Sequence, residues 1–195
     1  MNMQASCILA SASPRRRELL GALIPDFEII PSDIDENTLD GESPEDHVLR
    51  LSREKALAVS RAHPGRWVLG ADTVVVIDGE MLGKPSTPAE ARRMLGLLSG
   101  REHTVITGFA LVRGREGVVA NEAVRSGVLF KEISADEMDW YTRTDEPYDK
   151  AGGYAVQGKA SFFIREIRGS HTNVIGLPLS EVVTAMKKAG ALRLA

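Results

Sequence analysis

The sequence predicts an α/β fold: a mixed, twisted sheet flanked by helices. Apolar, β-branched runs alternate along the chain with segments that open on helix caps, as when strands and helices take turns in one domain. Two turn signals, Asp78-Gly79 and Arg168-Gly169-Ser170, join apolar runs as hairpins do, so the sheet is expected to be mixed, not purely parallel. The chain of 195 residues is 43% hydrophobic and 26% charged, which suits a packed core and excludes disordered, collagen-like and coiled-coil classes. A single domain covering residues 1–195 is expected.

Cys7 to Ala10 reads as a short strand. Ser13-Pro14 opens a helix, with serine as the cap and proline in the first turn, where no N–H is needed. Phe27 to Ile30 is a second strand, and Ser43-Pro44 opens a helix running to about Ala62. Trp67 to Ile77 is strand-like and ends in the Asp78-Gly79 turn. Thr87-Pro88-Ala89-Glu90 spells a capping box, and Ser99-Gly100 ends that helix. His103 to Val112 and Gly117 to Phe130 form a long antiparallel pair. Ser134 to Glu137 is another capping box, for a helix ending near Thr144. Phe162 to Ile167 and His171 to Ile175 are read as the strands of the second hairpin. Ser180 caps the last helix, which closes at Gly190.

The net charge of −3 and only 5% aromatic residues argue against nucleic acid and anionic membranes as partners. No apolar stretch approaches the ~18 residues of a membrane span. The arginines near the N-terminus follow the apolar run instead of preceding it, unlike a signal peptide, so a cytoplasmic protein is expected. One cysteine, Cys7, leaves no internal disulfide and no Cys-rich zinc site. His47, His63, His103 and His171 match no metal-ligand spacing. Any metal should therefore be a hard ion on carboxylates, magnesium or manganese.

Chemistry concentrates in a few segments. Ser11-Ala12-Ser13-Pro14-Arg15-Arg16-Arg17 puts three arginines at the positive end of a helix dipole. A phosphate reverses that repulsion by accepting from the helix N–H groups, the Ser11 and Ser13 hydroxyls and the guanidinium forks of Arg15 and Arg16. The alternative is a solvated arginine cluster beside a good cap. Asp72 enters a run of β-branched residues where aspartate is disfavoured, and Gly70-Ala71 before it leave room for a ligand or another backbone. A carboxylate there serves as general base or metal ligand, or else caps the strand end.

Lys55 shares an apolar helical stripe with Val48, Leu51 and Val59, where most lysines simply reach out to solvent. Lys84 in Gly83-Lys84-Pro85 follows the hairpin and could be an ordinary turn lysine. Glu146 to Gly158 joins the Asp149-Lys150 pair to a glycine-rich loop, which exposes backbone N–H groups to a ligand or is a mobile connection. Asp33, Asp35, Glu36, Asp40 and Glu42 read as a solvated acidic loop from which one carboxylate could reach a metal. Gly79 to Ser86 imitates a phosphate loop but is one residue short between glycines, and Pro85 stands where a hydroxyl should bind magnesium.

Taken in order, Ile8 to Arg16, Arg53-Glu54-Lys55-Ala56, Gly70-Ala71-Asp72-Thr73, Gly83-Lys84-Pro85, Asp149-Lys150-Ala151-Gly152 and Asn173 to Leu179 resemble the Maf family of nucleoside triphosphate pyrophosphatases. The resemblance runs from Ile8 to about Glu181, and Ala12 stands where glycine is frequent in that family. It implies two lobes around a deep cleft, similar to inosine triphosphate pyrophosphatases. It also implies cleavage between the α and β phosphates to a nucleoside monophosphate and pyrophosphate. Asp72 matches the family's proton acceptor. Arg15, Thr73 and Gln157 match positions tied to base selection in the dTTP/UTP branch, and Asp149-Lys150 also looks like that branch.

The expected mechanism follows. Arg15, Arg16, Lys55 and Lys84 hold the phosphates with Ser11 and Ser13. Asp72 and Glu36 are the metal-side carboxylates for magnesium or manganese, and Asp72 activates the attacking water. Gln157 can pair with a pyrimidine edge, while Asp149 and Lys150 order the base-side loop or assist the metal and phosphates. The rival expectation is a non-catalytic nucleotide-binding regulator of cell division or septum formation. A homodimer is the default oligomer for such a chain.

Overall fold

The computed structural model describes residues 2–3 and 6–193. In chain order the elements are β1 (Asn2–Met3), β2 (Cys7–Leu9), α1 (Pro14–Gly21), β3 (Phe27–Ile29), α2 (Pro44–Ser60), β4 (Trp67–Ile77), β5 (Glu80–Leu82), α3 (Pro88–Leu98), β6 (Glu102–Arg113), β7 (Gly117–Phe130), α4 (Ala135–Thr142), β8 (Ile164–Arg168), α5 (His171–Ile175), α6 (Leu179–Lys188) and β9 (Leu192–Arg193). The architecture is mixed α/β, as expected: β2 runs parallel to β3 and β4, while β5 is antiparallel to β4 and β8 to β7.

The chain divides into two compact units, one from the described residues of 1–72, 107–124 and 176–195, the other from 73–106 and 125–175. In the first, the strand order is β3-β2-β4-β6-β7. Alternate residues of a strand face opposite sides. Trp67, Leu69 and Ala71 of β4 pack with Cys7, Leu9, Phe109 and Leu111 beneath Leu20 of α1 and Val182, Ala185 and Met186 of α6. Val68 packs on the opposite face with Ile8, Ala10, Ala110 and Val112, against Ala56 and Val59 of α2.

Gly70 and Gly108 fall on the α2 face by the same alternation. A Cβ on Gly70 would stand 2.2 Å from the Ser52 carbonyl oxygen and 2.8 Å from the Ala56 nitrogen, and one on Gly108 would stand 2.3 Å from the Val48 carbonyl oxygen. The room that Gly70 leaves is thus filled by a helix backbone. With no side chain intervening, α2 lies directly on the sheet.

The second unit has its own core. Val75 and Ile77 of β4, Met94, Leu95 and Leu98 of α3, Phe130 of β7 and Tyr141 of α4 surround Tyr154 and Phe163. Asp78 and Gly79 both have positive φ, 52° and 82°, and close the expected hairpin.

Several local expectations change. His171–Ile175 is a helix, not a strand: Ser170 Oγ accepts from the Asn173 N–H at 3.2 Å and turns the second hairpin into a helix cap. Phe162 and Phe163 lie in a 3-10 turn, so the strand starts at Ile164. Ser180 is inside α6, which has no side-chain cap. Thr87 accepts from the Glu90 N–H, but the Glu90 carboxylate accepts from Ser86 instead of completing a box with Thr87. The Ser134–Glu137 box is complete, and its helix ends at Thr142. Among the described residues, no helix is long and apolar enough to cross a membrane.

Candidate active site

Asp72 follows Gly70 by two residues on β4, so both point toward α2. Lys55 sits on α2 between Ser52 and Ala56, the residues whose backbone Gly70 admits. The close approach therefore sets a lysine against an aspartate: Lys55 Nζ donates to Asp72 Oδ1 at 2.7 Å. Lys55 is 6% exposed and Asp72 7%. The same ammonium lies 2.8 Å from Glu36 Oε1, in the loop between β3 and α2. The solvent-seeking reading of Lys55 is thereby overturned, because a stripe of apolar spacing carries it inward to two carboxylates. Glu36 likewise is not an ordinary solvated acid of its loop.

Arg16 joins this cluster. Its Nε donates to the Gly176 carbonyl at 2.8 Å, and one terminal nitrogen donates to Ser11 Oγ at 3.3 Å. Burial lowers its pKa, and the negative charges of Asp72 and Glu36 oppose that shift. Ser13 caps α1 by accepting from the Arg16 N–H, and Ser11 Oγ accepts from the Ser13 N–H at 3.2 Å. In these contacts both hydroxyl oxygens accept, and each O–H remains a donor suited to an anion. Arg15 is half-buried and Arg17 exposed on the same turn.

Within the second unit, the Gly152 N–H donates to the Gly83 carbonyl at 2.9 Å, tying the Lys84 loop to the turn after Lys150. Gly152 has φ 69°, and a Cβ there would meet the Val75 side chain at 3.0 Å. Lys150 Nζ pairs with Asp149 and donates to the Glu146 carbonyl at 2.8 Å. The glycine-rich segment is therefore anchored, not a loose connection. Thr73 is half-buried directly after Asp72, while Lys84 and Gln157 are exposed.

Sequence reasoning missed Arg50 and misread Glu42. Glu42 is shielded and gripped by Arg50 through Nε at 2.5 Å and a terminal nitrogen at 2.8 Å. It also missed the Gly176 carbonyl, which lies 160 positions from Arg16 and carries no chemical signature. The spacing of Glu42 and Arg50, across a helix start, offered a faint signal that an unaided reading does not pick out.

Glu36 and Asp72 are hard oxygen donors converging on one cation. Among the described residues, no three His, Cys, Asp or Glu side chains form a ready metal cage. Carboxylate oxygens suit magnesium or manganese, which commonly take one or two carboxylates and complete their shell with phosphates and water. The donor set fits such an ion.

A family model described as "Maf-like protein" matches residues 6–189. A dTTP/UTP pyrophosphatase of Syntrophus aciditrophicus (strain SB) is 62% identical over 185 residues, covering 95% of this chain and 90% of that protein. A dTTP/UTP pyrophosphatase of Geotalea uraniireducens (strain Rf4) is 50% identical over 193 residues, covering 98% and 99%. Among solved structures, a HAM1 protein from Coxiella burnetii matches 64% of this chain and 71% of that one at 20% identity, with a TM-score of 0.45.

Proposed function

The chain belongs to the Maf-like protein family, and we propose that it is a nucleoside triphosphate pyrophosphatase acting on dTTP and UTP. The observation that carries the reading is the convergence of Glu36 and Arg16 on the buried Lys55–Asp72 pair, in a chain whose relatives bear that activity as their name. Residues 1–195 act as one functional domain.

A triphosphate brings roughly four negative charges, so the work is positioning and electrostatic stabilisation. Arg15, Arg16, Lys55 and Lys84 supply fixed positive charge, and Ser11 and Ser13 donate their O–H groups. Lys55 fixes the Asp72 carboxylate through Oδ1. Asp72 takes the proton of a water that attacks the α-phosphorus in line. The bond from that phosphorus to the oxygen bridging to the β-phosphorus breaks, and pyrophosphate leaves. Glu36 and Asp72 would hold a magnesium or manganese ion, whose contribution when bound is to neutralise charge on phosphate oxygens. Thr73 and Gln157 select the pyrimidine, and Asp149 and Lys150 order the loop that carries Gln157.

The test is product analysis after incubation with dTTP or UTP and manganese. Monophosphate and pyrophosphate in equal amounts are expected. Stepwise orthophosphate release would move the reaction to another class, and tight nucleotide binding without turnover would leave the regulator reading in its place.

A further inference from the structure

We propose that Arg50 is a positioning residue that fixes Glu36 against Lys55 by clamping the acidic loop onto α2. The proposal rests on the reading of Lys55, Asp72 and Glu36 as the reacting centre, but its geometry stands alone. Arg50 Nε lies 2.5 Å from Glu42 Oε1, and a terminal nitrogen lies 2.8 Å from Oε2, a two-pronged grip on one carboxylate. That second nitrogen also donates to the Asn37 carbonyl at 3.0 Å, beside Glu36 in the chain. The other terminal nitrogen reaches Glu54 one turn along α2 at 3.3 Å. One guanidinium thus joins the loop at two points to the helix that carries Lys55.

Glu42 repeats the link from its own side. It accepts from the Leu39 N–H at 3.2 Å and lies 2.9 Å from His47 Nδ1. The Arg50 hydrogen bond is the main cause that holds the Glu42 carboxyl down at about 2; burial opposes it and His47 adds to it. An exposed ion pair contributes little because water and side-chain entropy compete with it. Here the side chains are 15% and 6% exposed and the fork is bidentate, so neither objection applies with force. Glu36 itself is half exposed and sits in a stretch without regular structure, so its place at Lys55 depends on what anchors that stretch.

The test is Arg50→Lys, which keeps the charge but cannot make the fork and the Asn37 contact together. Amide exchange at Leu39 and Glu42 should quicken about tenfold while exchange in β4 and β6 stays unchanged. Turnover should fall about tenfold, and Arg50→Lys combined with Glu36→Gln should lose no more than the worse single variant, as expected for residues acting through one another. Unchanged exchange at Leu39 and Glu42 overturns the proposal whatever the protein hydrolyses. Losses that multiply in the double variant also overturn it, since Arg50 would then act independently of Glu36. If exchange quickens as expected but the unaltered protein leaves dTTP and UTP intact, the clamp stands and the proposed activity fails.

Discussion

Gly70→Ala probes how the sheet delivers Lys55 to Asp72. The new Cβ would lie 2.2 Å from the Ser52 carbonyl oxygen and 2.8 Å from the Ala56 nitrogen. Comfortable contacts of this kind begin near ~3.5 Å, so the helix must lift by about 1 Å. The obstructing atoms are backbone on both sides, and no side-chain rotation relieves them. Overpacking of a dense core costs about 1–3 kcal/mol, and rigid neighbours place this substitution at the upper end. For a chain of this size that lowers Tm by roughly 6–12 °C. The lift also stretches the 2.7 Å contact between Lys55 and Asp72. Displacement of about 1 Å in reacting geometry is worth about a hundredfold in rate. Thermal melting and kcat with dTTP, measured well below the Tm of the variant, read the two effects. Gly65→Ala is the control, because nothing lies within 4 Å of its Cβ position. A folded Gly70→Ala protein with kcat within about threefold of the parent would refute the argument that this glycine sets the site.

Asp72→Asn should retain its fold and lose about 10²- to 10⁴-fold in kcat, the range for removal of a general base; near-normal turnover by pyrophosphate assay would remove Asp72 from that role. His103 gives a pH signature. It is 3% exposed, with Nε2 2.7 Å from the Tyr154 hydroxyl, and burial lowers its pKa from 6.5 to about 4. The unfolded chain therefore binds this proton more readily, so the stabilisation is complete above pH 6.5 and is lost as pH falls toward 4. The loss amounts to about 3 kcal/mol. Urea melts across that window should show it in the parent and not in the double variant His103→Phe, Tyr154→Phe; equal slopes in both would contradict the assignment.

Much of the fold was legible because caps and periodicity are local. Ser13-Pro14, Ser43-Pro44 and Ser134 each mark a helix start that the structure reproduces. Asp78-Gly79 marks its hairpin for the same reason. Arg168-Gly169-Ser170 misled because a serine after glycine serves equally in a hairpin or as a helix cap; Ser170 is the second. In the site, the residue types of Asp72 and Arg16 announced unusual placement, since each is locally unfavourable where it stands. Lys55 did not, since its apolar spacing is shared by lysines that reach solvent. Glu42 looked like its acidic neighbours, and only the folded loop separates it from them.

What the sequence determined alone is the inventory: which segments become strands and helices, and which charged groups stand where local energetics disfavour them. Those follow from interactions within a few residues. The pairing of Lys55 with both Asp72 and Glu36, the grip of Arg50 on the loop and the carbonyl that receives Arg16 were decided by tertiary structure. The meeting of Lys55 with Asp72 depends on how closely α2 settles on β4 and β6, a distance set by Gly70 and Gly108, which lie outside the helix.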